Sequence, residues 1–176
     1  MAVAAGIMVP HPPLIVPDVG RGQEILIKDT IKAYQEAAGM AAELKPDTLV
    51  VISPHAVMYA DYFHVSPGKE ARGDFGRCMA PQIGVEAGYD EAFVRELDRL
   101  CGDDGFPMGT EGEREKELDH GTLVPLYFIN QHYRDYKLVR IGGSGLSFAD
   151  HYRAGRYIAR AAENLGRSVF IVASGD

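Results

Sequence analysis

The chain has no tryptophan, only two cysteines among 176 residues, and fewer basic side chains (18 Lys and Arg) than acidic ones (25 Asp and Glu). Each shortage excludes something. Cys78 and Cys101 lie far apart and form no C-x-x-C pair, so a zinc ribbon or a thioredoxin-like motif is excluded. The pattern gives no support for a disulfide between them, and reduced thiols in a cytoplasmic protein are expected. A formal charge of -7 and a pI near 5.3 provide no basic face of the kind nucleic-acid binding requires. No apolar run approaches the roughly 20 residues of a membrane span. The apolar stretch at residues 3–9 has no basic region before it and runs into prolines, so it reads as a core strand rather than a signal peptide.

What is present is a globular α/β pattern. Hydrophobic content is 46%, enough in a chain of this length for one domain with a substantial core. The segments alternate. A strand at 3–9 is followed by a Pro-rich loop and a helix at 23–44, with Ile27, Ile31, Tyr34, Ala38, Ala41 and Leu44 on one face. Lys45-Pro46-Asp47 stops it. Residues 48–53 form a nearly continuous apolar run, as expected of a strand covered on both faces. A short strand is expected at 62–66, a mobile Gly-rich loop at 67–81 and a strand at 82–87. Asp90 then caps a helix with Phe93, Val94, Leu97 and Leu100 inward.

Residues 103–116 read as a solvated loop with a short strand near 107–110. A buried helix follows at 122–131, with Pro125 tolerated in its first turn. A strand at 136–141 leads into Gly142-Gly143-Ser144-Gly145. Ser147 and Asp150 start a helix reaching Leu165, with Phe148, Gly155, Ile158, Ala162 and Leu165 inward. The last strand is 168–173. The expectation is one domain over 1–176, a three-layer α/β/α sandwich with a mostly parallel or mixed sheet. The pattern ends on a core strand with no covering helix after it, so a further C-terminal portion is expected.

Three of the six histidines sit where such a fold builds its sites, at the carboxyl ends of strands or the start of a helix. His11 lies in Val9-Pro10-His11-Pro12-Pro13, where flanking prolines restrict the backbone and hold the imidazole in one direction. His55 closes Ile52-Ser53-Pro54-His55. On neighbouring strand ends, the two would leave coordination positions open for a carboxylate, water and substrate. That donor set suits ferrous iron, and zinc accepts it too. Each has a plainer reading, His11 as a surface residue of a turn and His55 as a strand-end residue bonded to a carbonyl. His120, after Asp119, opens the 122–131 helix. A helix N-terminus favours a neutral imidazole, able to act as a base or to donate a hydrogen bond; Asp119 as N-cap is compatible with either use. His64, His132 and His151 look structural. Gly142-Gly143-Ser144-Gly145 lacks the lysine of a P-loop and the final glycine of a nucleophile elbow. Nothing near Cys78 marks it as reactive.

Taken in order, Val9-Pro10-His11-Pro12-Pro13, Ile52-Ser53-Pro54-His55, Leu118-Asp119-His120-Gly121 and Ala173-Ser174-Gly175-Asp176 resemble the class III extradiol ring-cleavage dioxygenase superfamily. The Memo-like branch is the one they resemble most. The resemblance implies an α/β/α sandwich in which His11 and His55 bind Fe(II) and His120 contacts substrate or oxygen. It implies a small aromatic, catechol-type substrate and O2 as partners. It further implies an acid/base histidine and a third metal ligand beyond the final Ser-Gly-Asp, and a fused or co-encoded second domain. Two other readings stand beside it: a non-enzymatic Memo-like module that binds a metal or ligand, and a zinc-dependent hydrolase using metal-bound water. A cytoplasmic homo-oligomer with no nucleic-acid or membrane partner is expected.

Overall fold

The computed structural model describes residues 2–175. Its centre is a four-stranded parallel sheet in the order β1-β8-β2-β7, formed by β1 (Val3–Pro10), β8 (Val169–Gly175), β2 (Thr48–Ser53) and β7 (Lys137–Gly142). The first two strands in sequence are therefore not neighbours. The last strand, β8, lies between them.

The apolar runs explain the layers. Alternate side chains of a strand point to opposite faces, so a strand covered twice must be apolar throughout. Leu49, Val51, Leu138, Phe170 and Val172 face one core, with Tyr34, Ala38 and Ala41 of α2 (Lys28–Leu44), which follows the single-turn α1 (Pro17–Gly20), and Leu123, Leu126 and Phe128 of α4 (His120–Ile129). Val50, Val139, Ile141 and Val169 face the other, with Phe93, Leu97 and Leu100 of α3 (Glu91–Asp103) and Ile158, Ala161 and Ala162 of α5 (Phe148–Leu165). This is the expected three-layer sandwich.

Several local expectations are corrected. Residues 23–27 form a 3-10 turn, and the α-helix starts at Lys28. The inward stripe begins at Ile27, as expected, but ends at Ala41, since Leu44 is 40% exposed. The expected loop at 67–81 contains β4 (Glu70–Phe75), which pairs antiparallel with β5 (Ala80–Gly88). Only Ala71 and Phe75 of β4 are buried, and a strand with polar residues on its other face reads like a loop. Of the expected strand at 62–66, β3 (Phe63–His64) pairs with β6 (Met108–Gly109).

In α4, Pro125 is the sixth residue rather than part of the first turn, because the helix begins at His120. In α5 the buried positions are Ala154, Ile158, Ala161 and Ala162, while Phe148 is 95% exposed and Gly155 is also outside the core. Asp90 and Ser147 cap α3 and α5 as expected. No helix among the described residues is long and apolar enough to cross a membrane.

Candidate functional site

The parallel strands deliver their carboxyl ends to one edge of the sheet. β1 ends at Pro10 and hands the chain to His11; β2 ends at Ser53, two residues before His55. His120 is the first residue of α4. The three imidazoles converge there. Ring centroids are 4.8 Å apart for His11 and His55, 5.4 Å for His11 and His120, and 4.0 Å for His55 and His120. His11 Nε2 and His55 Nε2 are 3.0 Å apart. His11 is buried, His120 half-buried and His55 exposed, so the cluster opens to solvent on the His55 side. The strand ends carrying His11 and His55 are separated by β8, whose Ser174 fills the gap: its Oγ is 2.9 Å from His11 Nδ1.

His55 and His120 are tied together beneath their rings. The Ser53 hydroxyl accepts the backbone N–H of His55 at 3.1 Å and donates to Asp119 Oδ1 at 2.5 Å. Asp119 is the N-cap of α4, accepting from Thr122 N at 3.0 Å and from Thr122 Oγ1 at 2.9 Å. Asp119 thus caps α4, as the sequence suggested, and the same carboxylate reaches the site through Ser53. Gly121 is required between them. A Cβ there would stand 2.4 Å from Ser53 Oγ and 3.3 Å from His55 Cδ2.

The pattern-based reading missed Arg140. It lies in β7, on the same face as Leu138, and is fully buried. Its Nε donates to Ser66 Oγ at 2.8 Å, and its Nη1 and Nη2 donate to the carbonyls of Glu117 at 2.6 Å and Glu115 at 2.5 Å. The Glu113 and Asp119 carboxylates lie 3.9 Å away. The guanidinium thus pins the segment that leads into His120. Burial alone would raise the pKa of Glu113. The backbone N–H of Glu115, His64 and Arg140 together hold it below the usual carboxylate value. The available signal was a lone arginine inside a mostly apolar strand.

The remaining histidines are elsewhere. His64 is buried against the Glu111 carbonyl and Glu113; His132 meets Gln35; His151 meets the Ser147 carbonyl and the Phe63 ring. The amides of Gly143 and Gly145 donate to the carbonyls of Ser53 and Tyr59, so they clamp the segment after β2 rather than face a ligand. Gly142 allows that close approach, since a Cβ there would lie 1.8 Å from the Val57 carbonyl oxygen. Cys78 and Cys101 are both free, and burial pushes the Cys101 thiol up to about 12, which makes it inert. A cavity of 820 Å³ between the β4–β5 hairpin and α4 includes none of the three clustered histidines. Donor chemistry, not concavity, marks the site.

His11, His55 and His120 each offer one ligand nitrogen, and these atoms lie within 4.8 Å of one another. The Nε2 atoms of His11 and His55, 3.0 Å apart, could share one divalent ion at bonds of about 2.0–2.1 Å, the length for zinc, whereas a separation approaching 4.8 Å exceeds twice that length. These two residues therefore fit the expected ion. An open α/β sheet with a histidine cluster at its carboxyl edge defines the class.

Residues 5–176 match the family described as the catalytic LigB subunit of aromatic ring-opening dioxygenase, and the chain belongs to this family. It is 35% identical over 176 residues to Protein CA_C1420 of Clostridium acetobutylicum, covering 96% of this chain and 38% of that protein. It is 24% identical over 151 residues to 3,4-dihydroxyphenylacetate 2,3-dioxygenase of Escherichia coli, covering 82% of this chain and 54% of that one. The chain thus spans about half or less of the length of these curated relatives.

Proposed function

We propose that His11 and His55 bind ferrous iron, and that His120 serves the extradiol cleavage of a catechol-type aromatic by O2. The supporting observation is the convergence of the three imidazoles, with two Nε2 atoms 3.0 Å apart at the carboxyl edge of a family-typed sheet. Bound there, the ion would supply adjacent positions for a catecholate and O2, as two-histidine ferrous sites do. The chain's own residues do the rest. His11 and His55 hold the ion from two strand ends. His120, 4.0 Å from the His55 ring, stands where it can take or return a substrate proton or donate a hydrogen bond.

Anaerobic titration with Fe(II), and with Zn(II) in parallel because zinc takes the same donors, tests the assignment. His11→Ala and His55→Ala should each abolish tight binding. His120→Ala should leave binding within a few-fold. Loss of metal in His120→Ala would make it a ligand instead; retention in both of the other variants would end the metal reading. A second reading is a metal- or ligand-binding module without turnover. Metal binding without O2 uptake across a panel of catechols, in a protein as long as the relatives, would support that reading.

A further inference from the structure

We propose that Ser174 is a positioning residue that fixes the tautomer of His11, so that its Nε2 lone pair faces the site. The inference rests on the metal reading above and extends it to β8. Ser174 is buried, on the strand between those that carry His11 and His55. Its Oγ lies 2.5 Å from the carbonyl oxygen of Gly121 and 2.9 Å from His11 Nδ1. A carbonyl has no proton, so the single hydroxyl hydrogen of Ser174 is committed to Gly121. The serine oxygen therefore meets Nδ1 as an acceptor, and Nδ1 carries the hydrogen. The other nitrogen, Nε2, is left as a lone pair pointing at His55 Nε2, 3.0 Å away.

Pro125 makes this possible. In an α-helix the Gly121 carbonyl would accept the N–H of residue 125, but proline has none. The carbonyl inside α4 is thereby left for Ser174. A proline placed past the first turn of a buried helix, where it is disfavoured relative to every other residue, thus acquires a reason. The sequence Ser174–Gly121–Pro125 sets which nitrogen of His11 can bind an ion. Outer partners of this kind orient ligating histidines and fix their protonated nitrogen.

The test reads the tautomer directly. NMR of the imidazole nitrogens in the metal-free 176-residue chain, well above the ordinary histidine pKa, should show His11 protonated at Nδ1, with the signal assigned by its loss in His11→Ala. Ser174→Ala should give a mixture of tautomers and weaken Fe(II) binding by about 10–100-fold. Ser174→Thr, which keeps the hydroxyl, should restore the Nδ1–H form. His11 protonated at Nε2 in the unaltered chain would overturn the proposal without any variant having to fold. So would a folded Ser174→Ala chain with an unchanged tautomer. An Nδ1–H His11 in a protein as long as the relatives that binds no metal would sink the metal reading while supporting the role of Ser174.

Discussion

Gly121 shows how tightly the residues of this site are spaced. It lies between a capping carboxylate and two histidines, and its missing side chain is the space the Ser53 hydroxyl occupies. Neither the backbone of β2 nor the first turn of α4 can move far, because both are packed into the core. Gly121→Ala should therefore destabilise by about 1–3 kcal/mol, the usual range for overpacking, and should weaken Fe(II) binding by displacing His55. Urea midpoints and metal titration check the two effects. Unchanged values for both would mean that the Ser53–Asp119 contact does not hold the site together. Sequence reading reached His11, His55, His120 and the Asp119 cap, because each stands beside a proline, a strand end or a helix start. It did not reach Ser53 or Ser174 as supports, or Arg140. Those roles depend on which strands are adjacent, and periodicity says nothing about strand order.

At the scale of elements, the segment between β6 and α4 is irregular yet held in place from below. Arg140 of β7 binds two of its carbonyls and stands near two of its carboxylates. Arg140→Met would leave the carbonyls of Glu115 and Glu117 without their donor and the half-buried Glu113 with one cation fewer beside it, a loss of about 1–3 kcal/mol for each acceptor left unpaired. The same network gives an acid limb to stability. The Glu113 carboxyl is held below its ordinary 4.5, so its contribution is complete above that value. It is lost as pH falls through the lower folded value, where the native carboxylate takes up its proton. Glu113→Gln should remove this part of the pH dependence, read as a shallower fall of the urea midpoint on the acid side. Parallel profiles for the two proteins would refute the assignment.

Elements with strong periodicity or continuous apolar runs, such as α3 and β2, were legible because their burial is one-sided or nearly total. The β4–β5 hairpin was not. Gly73 in β4 lies against the chain just before α4, where a Cβ would stand 2.6 Å from the Leu118 carbonyl oxygen. A glycine selected for such a contact looks, in sequence, like one in a mobile loop.

Across the whole molecule, the proposed ion would join parts that the chain keeps far apart. His11 follows the edge strand β1, His55 follows the interior strand β2, and His120 opens a helix packed on one face of the sheet. β8, from the other end of the described chain, separates the first two strands and reaches His11 through Ser174. Unfolding of any of these parts would disperse the donors, so binding is linked to folding of the domain rather than of one loop. A ligand that binds only the folded state stabilises it by about 2.7 kcal/mol at roughly 100 times its Kd. In a chain of this size, that corresponds to a Tm shift of about 5–10 °C if 1 kcal/mol moves Tm by roughly 2–4 °C. Anaerobic Fe(II) should therefore raise the Tm of the chain, a chelator should reverse the change, and His11→Ala or His55→Ala should erase the response. An equal rise in those variants would place the ion elsewhere on the molecule. No rise in a protein as long as the relatives, with folding verified, would show that the three imidazoles do not act as one centre.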